Sequence, residues 1–147
     1  MQIAYAYLAR WAEANPDNTV TLMGGDFEII RAERFPAAFP VSVILKLTGM
    51  REGDEAPNLG MRLTLDITGP ENVRVFNAPL LLDMSGRHIP DKVAATHKGV
   101  ARVVVNLGLV PFVSPGAYEI RITINTSGDQ TAEAKTIIPL VAELKGD

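Results

Sequence analysis

His88 and His97 are the only histidines in the chain, and cysteine is absent. Zinc sites draw on thiolates and imidazoles at characteristic spacings. The spacing of this pair matches no familiar metal-binding pattern, so we expect ordinary imidazoles and no metal or other cofactor. Nucleophilic catalysis needs a hydroxyl beside a base. Ser42, Ser85, Ser114 and Ser127 are available, but none stands in a Gly-x-Ser-x-Gly elbow. Ser85 and His88 lie close together in "MSGRHIPD", with Asp83 and Asp91 beside them, yet such polar density is normal for a loop. No enzymatic activity is expected. Calcium takes about six to eight oxygen ligands. Asp17, Asp54, Glu55 and Asp129 occupy separate turns, each offering one or two carboxylates.

A phosphate-cradling loop is the other chemistry to weigh, at "TVTLMGGDFEII" (Thr19–Ile30). Such loops open a helix and carry a Lys-Ser/Thr pair. Neither follows Gly25, and Asp26 would repel an anion. The architectural alternative explains more. Val20 and Leu22 occupy even positions before the glycines, whereas Phe27 and Ile29 occupy odd positions after them. One extra residue in a bulge swaps the inward phase of a strand, and glycine tolerates positive φ there. Gly24 and Gly25 are therefore expected to bend a strand that serves two sheets. The same phase places Ile30 outward.

The elements that would position any site are strands. "MRLTLDIT" alternates Met61, Leu63, Leu65 and Ile67 with Arg62, Thr64, Asp66 and Thr68, the period of a half-buried strand. "AYEIRITIN", "VSVILKLT" and "VARVVVNL" follow the same pattern, and turn-rich segments such as "REGDEAPN" and "SGRHIPD" punctuate them. "TSGDQ" separates two strand-like runs and marks a hairpin. Pro139 donates no ladder hydrogen bond, which predicts an edge or a bulge near the end of the last strand. "AYAYLARWAEA" fits either a short helix or a two-sided strand, with Trp11 inward by the strand parity. The fold class is all-β: a single antiparallel β-sandwich, immunoglobulin-like or C2-like, of about seven to nine strands, spanning 1–147 as one domain.

With 14 basic and 17 acidic residues, the chain shows no electrostatic footprint for nucleic acid or anionic membrane. Its first residues make no signal peptide, and no apolar run approaches a membrane span. A cytoplasmic protein is expected.

Both ends of the chain, "VTLMGGDFEIIRAERFPAAFP" and "LGLVPFVSPGAYEIRITIN" followed by "TIIPLVAEL", resemble a family of small uncharacterised bacterial proteins predicted to be β-sandwiches. Pro115-Gly116 followed by Tyr118 is similar to the Pro-Gly-x-Tyr strand start of immunoglobulin-like sandwiches. That likeness implies a buried Tyr118 whose hydroxyl bonds to backbone. The resemblance carries no catalytic residues.

Function is therefore expected in binding rather than catalysis. Ile44 and Val104 share outward parity with Lys46 and Arg102, and Ile137 is apolar against its strand's inward parity. Clustered on a sheet, such residues mark an interface. The expected partner is another protein or a second copy, in self-association, docking or a structural role in a phage or other particle. The alternative is small-ligand, calcium or carbohydrate binding at the loop end.

Overall fold

The computed structural model describes residues 1–17, 19–49, 61–82, 101–126 and 133–146. The described chain is all-β, in two curled sheets. Nine strands are described: β1 (Gln2–Ala14), β2 (Val20–Gly25), β3 (Ile29–Ala32), β4 (Ala37–Thr48), β5 (Met61–Thr68), β6 (Arg74–Leu82), β7 (Ala101–Phe112), β8 (Gly116–Thr126) and β9 (Glu133–Leu144). The first sheet runs β2-β1-β4-β7 and the second β3-β9-β8-β5-β6. The turns "REGDEAPN", "SGRHIPD" and "TSGDQ" lie wholly or largely outside the described residues, although β8 and β9 pair antiparallel across the last of them.

The alternating runs build the core. In β5 the odd residues are buried and the even ones are not. Tyr118, Ile120, Ile122 and Ile124 of β8 pack with Val41, Val43, Leu45 and Leu47 of β4 in the same cluster. The inner faces of the two sheets thus share one apolar interior. Burying a leucine or isoleucine side chain there contributes about 1.5–3 kcal/mol.

The first segment is strand throughout, which settles the helix-or-strand ambiguity. Its length lets it serve two partners. Gln2 to Ala9 run beside β4, and Ala9 to Ala14 run beside β2. Ala9, Ala12 and Val20 pack with Ile44 and Val104 in a second cluster, on the side of β4 opposite the main interior. Asn106 of β7 donates from Nδ2 to the Ala12 carbonyl at 3.0 Å and accepts from the Ser42 hydroxyl. The β1–β2 hairpin therefore lies over the outward side of β4 and β7, and small alanines allow the close approach.

Gly24 has φ +57° and Asp26 φ +59°. These left-handed residues stand where the chain leaves the first sheet and crosses to the second, and the Asp26 N–H donates to the Leu8 carbonyl at 2.6 Å. The run is thus not one bent strand in phase. β3 is a separate strand, and its register buries Ile30 while leaving Ile29 47% exposed, the reverse of the parity expectation. β3 also pairs parallel with β9, so the sheets are not purely antiparallel.

At the other end of the core, Tyr118 is buried. Its hydroxyl donates to the Ser114 carbonyl at 2.7 Å and accepts from the Ser114 N–H at 3.2 Å. Phe112 meets its ring edge-to-face at 5.1 Å. A Cβ on Gly69 would come 2.5 Å from Tyr118 Cε1, and one on Gly116 would come 2.7 Å from Pro70 Cγ. The Gly69–Pro70 turn and the start of β8 interlock through two missing side chains.

Tyr118→Phe should lower the unfolding free energy by about 1–3 kcal/mol, because the part-buried N–H and C=O of Ser114 both lose a partner. Gly69→Ala should act in the same direction through the clash with the ring. Urea unfolding curves check both, and unchanged midpoints would dissolve the interlock.

Candidate functional site

Most of the chemistry-bearing residues weighed in the sequence (Asp54, Glu55, Asp83, Ser85, His88, Asp91, His97, Ser127 and Asp129) lie outside the described residues. The remaining ones have structural occupations. Ser42 is buried and bonded to Asn106. Ser114 holds the Tyr118 hydroxyl. Asp17 accepts from the Thr19 hydroxyl at 2.5 Å and from its N–H at 3.1 Å; these bonds, the hydroxyl's first, hold its carboxyl below the usual range. Among the described residues no group of three His, Asp or Glu could hold a metal ion.

The expected interface residues separate. Ile44 is 0% exposed. Its outward parity is real, since Val43 and Leu45 face the main interior, but the β1–β2 hairpin covers it. Val104 is half-buried by the same cluster. Neither offers an open contact. Tyr7, in that cluster too, has its phenol pKa raised by burial and by neighbouring Tyr5. Ile137 is 50% exposed.

Ile137 is not alone. On β9 it shares its face with Pro139 and Val141 at two-residue steps. Val141 pairs in register with Ile29 on one side and with Ala117 on the other. All five side chains are exposed. The result is a contiguous apolar stripe along the outer face of the five-stranded sheet. The sequence reading assigned only Ile137 to it. Pro139 and Val141 were visible at the same parity in "IIPLV", whereas Ile29 needed the β3 register.

Charged pairs border the stripe. Arg121 Nη2 lies 3.6 Å from Glu119 Oε2, Lys135 Nζ lies 2.6 Å from Glu133 Oε1, and Arg31 Nε lies 2.6 Å from Glu143 Oε1. Further along, Arg74 Nε lies 2.8 Å from Asp66 Oδ1. An apolar centre with a polar rim is the anatomy of a protein interface.

The strand edge beside the stripe behaves differently. β3 pairs only with Val141 to Leu144 of β9, and residues 133–140 have no ladder partner on that side among the described residues. The Val141 N–H points that way, donating to the Glu28 carbonyl at 2.9 Å. Alternation gives Pro139 the same direction, and proline has no N–H to offer. The edge is blunted by Pro139, Lys135 and Glu133. What is left open is a face.

Apolar side chains are exposed elsewhere too, Leu81 of β6 the most at 78%. Trp11 and Met23 are cross-strand partners on the β1–β2 hairpin, and Trp11 is 40% exposed rather than inward. Its strand has left β4 by that point, so the parity of the first half no longer points it into the core. Ala38 and Pro40 face Pro111 and Leu109 on the β4–β7 pair.

The family model described as "Family of unknown function (DUF6941)" matches residues 4–136 of the chain. No curated protein matches it.

Ile44→Ala should destabilise the fold by about 2–5 kcal/mol, the range for a buried aliphatic truncation. Ile137→Ala should change stability by no more than about 0.5 kcal/mol, as exposed substitutions do. Paired denaturant titrations distinguish the two residues. Equal costs would contradict the division between a covered and an open outer face.

Proposed function

The chain belongs to the DUF6941 family, and we propose that it is a non-enzymatic domain that docks on protein through the outer face of β9. One observation carries this reading: the exposed stripe of Ile137, Pro139 and Val141, widened by Ile29 and Ala117. Contiguous exposed apolar area rimmed by charge marks interaction sites, whereas isolated exposed side chains do not. Binding there buries apolar side chains already fixed by a paired sheet, so little conformational entropy is lost.

The same proposal includes the finer architecture, an immunoglobulin-like or C2-like β-sandwich. The interior shared by both sheets and the hydroxyl-to-backbone bond of Tyr118 support it. It also includes a cytoplasmic location, where a chain without cysteine needs no oxidising compartment. Among the described residues no helix is long and apolar enough to cross a membrane.

A photo-crosslinking amino acid placed at Ile137 or Val141 in the producing cell should give protein adducts. The same group at Thr64, on the same face but away from the stripe, should give far fewer. Ile137→Lys and Val141→Lys, tested against the crosslinker at the neighbouring position, should abolish the adducts without changing the unfolding midpoint. Equal adduct yields at the stripe and at Thr64 would overturn the proposal.

A further inference from the structure

We propose that the occupant of the β9 face is a second copy of this chain, laid antiparallel strand over strand about a two-fold axis in the plane of the face. The inference rests on the docking reading above and names the partner.

Three observations lead to it. First, the acidic side chains of the rim are each paired within the chain, Glu119 with Arg121, Glu133 with Lys135, and Glu143 with Arg31. A face so balanced attracts neither a strongly acidic nor a strongly basic partner, and it suits one with the same balance. Second, the blunted edge of β9 disfavours sheet extension along that strand, so two copies that meet through it meet by its face. Third, the register makes the two central rows of the face self-complementary, while the rows beyond them set Val141 over Lys135 and Glu143 over Glu133, each of those glutamates being already paired within its own chain. Pro139 stands opposite Glu119, and the next outward pair is Ile137 opposite Arg121. An in-plane two-fold axis crossing between those rows exchanges them. It sets Glu119 over Arg121 of the second copy and Arg121 over its Glu119, while Ile137 meets Pro139 twice. In an isologous interface each contact between unlike residues occurs in duplicate. The Glu119–Arg121 pair is loose at 3.6 Å, and both side chains are more than half exposed. They are therefore free to re-pair across the interface.

Sedimentation velocity over a concentration series tests this with the full chain. The wild type should show a reversible, concentration-dependent dimer. Arg121→Glu should weaken it about tenfold or more, because two sets of like charges then face each other across the interface. Glu119→Arg should do the same with the opposite sign. The double variant Glu119→Arg/Arg121→Glu should recover dimerisation, and Ile137→Lys should not be recoverable by either charge change. Circular dichroism and urea midpoints verify that each variant is folded. A wild type that remains monomeric throughout, while crosslinks at Ile137 join it to a different protein, overturns the second copy but leaves the docking face standing. A dimer indifferent to the single charge reversals, or not restored by the double one, overturns the antiparallel arrangement. Absence of both dimer and adducts removes the docking face itself.

Discussion

The short parallel ladder between β3 and β9 is the constraint on which the candidate surface depends. It is only four residues long, from Ile29 opposite Val141 to Ala32 opposite Leu144. Hydrogen bonds from Val141 to Glu28 and from Lys145 to Ala32 flank it. It ties the early chain to the last strand, across most of the sequence. Because β3 stops at this end, β9 is, among the described residues, an interior strand near its C-terminus and an edge strand before it. That division places Ile29 beside Val141 and leaves Pro139 to guard the bare stretch. Removing the ladder would take Ile29 out of the stripe and leave Val141 unpaired on that side.

The ladder was also the part of the fold least legible in the sequence. β5 and β8 declared themselves, because strict alternation between core and water writes itself as a period of two. Met61 to Thr68 was bounded to the residue. A four-residue strand such as β3 carries too few positions to fix its phase, and here the phase changed again after Asp26. Parity from Phe27 and Ile29 therefore pointed Ile30 the wrong way. Parallel pairing leaves no turn between its partners to betray it. The glycines announced a departure from strand geometry at Gly24, but not the destination of the chain.

Ile44 and Trp11 were misread for a related reason. Parity tells which way a side chain leaves its own sheet, and it is silent on what lies beyond. Ile44 does leave β4 away from the main interior, as its position between Val43 and Leu45 requires. Covering by the β1–β2 hairpin is a tertiary event, and its only sequence trace is the run of alanines, Ala9 and Ala12, that lets two backbones come close. The same event carries Trp11 out of the parity set in the first half of its strand. Alanines there read equally well as helix former and as spacer, so the trace was ambiguous until the pairing was known.

The two outer faces thus pose the same physical problem and meet it differently. Apolar side chains that face away from the core are unfavourable in water, at about 25 cal/mol for each Å² left exposed. On the four-stranded sheet the chain supplies its own cover, with Ile44 and Val104 beneath the hairpin and the Ser42–Asn106–Ala12 bonds fastening it. On the five-stranded sheet the described residues supply none over Ile137, Pro139 and Val141, and the rim is built of ion pairs instead of a second apolar layer. Proline and charge close the edge of β9 while the face beside it stays apolar. Backbone-driven pairing is thereby suppressed along that edge, and side-chain contact through the face is the association that the proposed docking relies on.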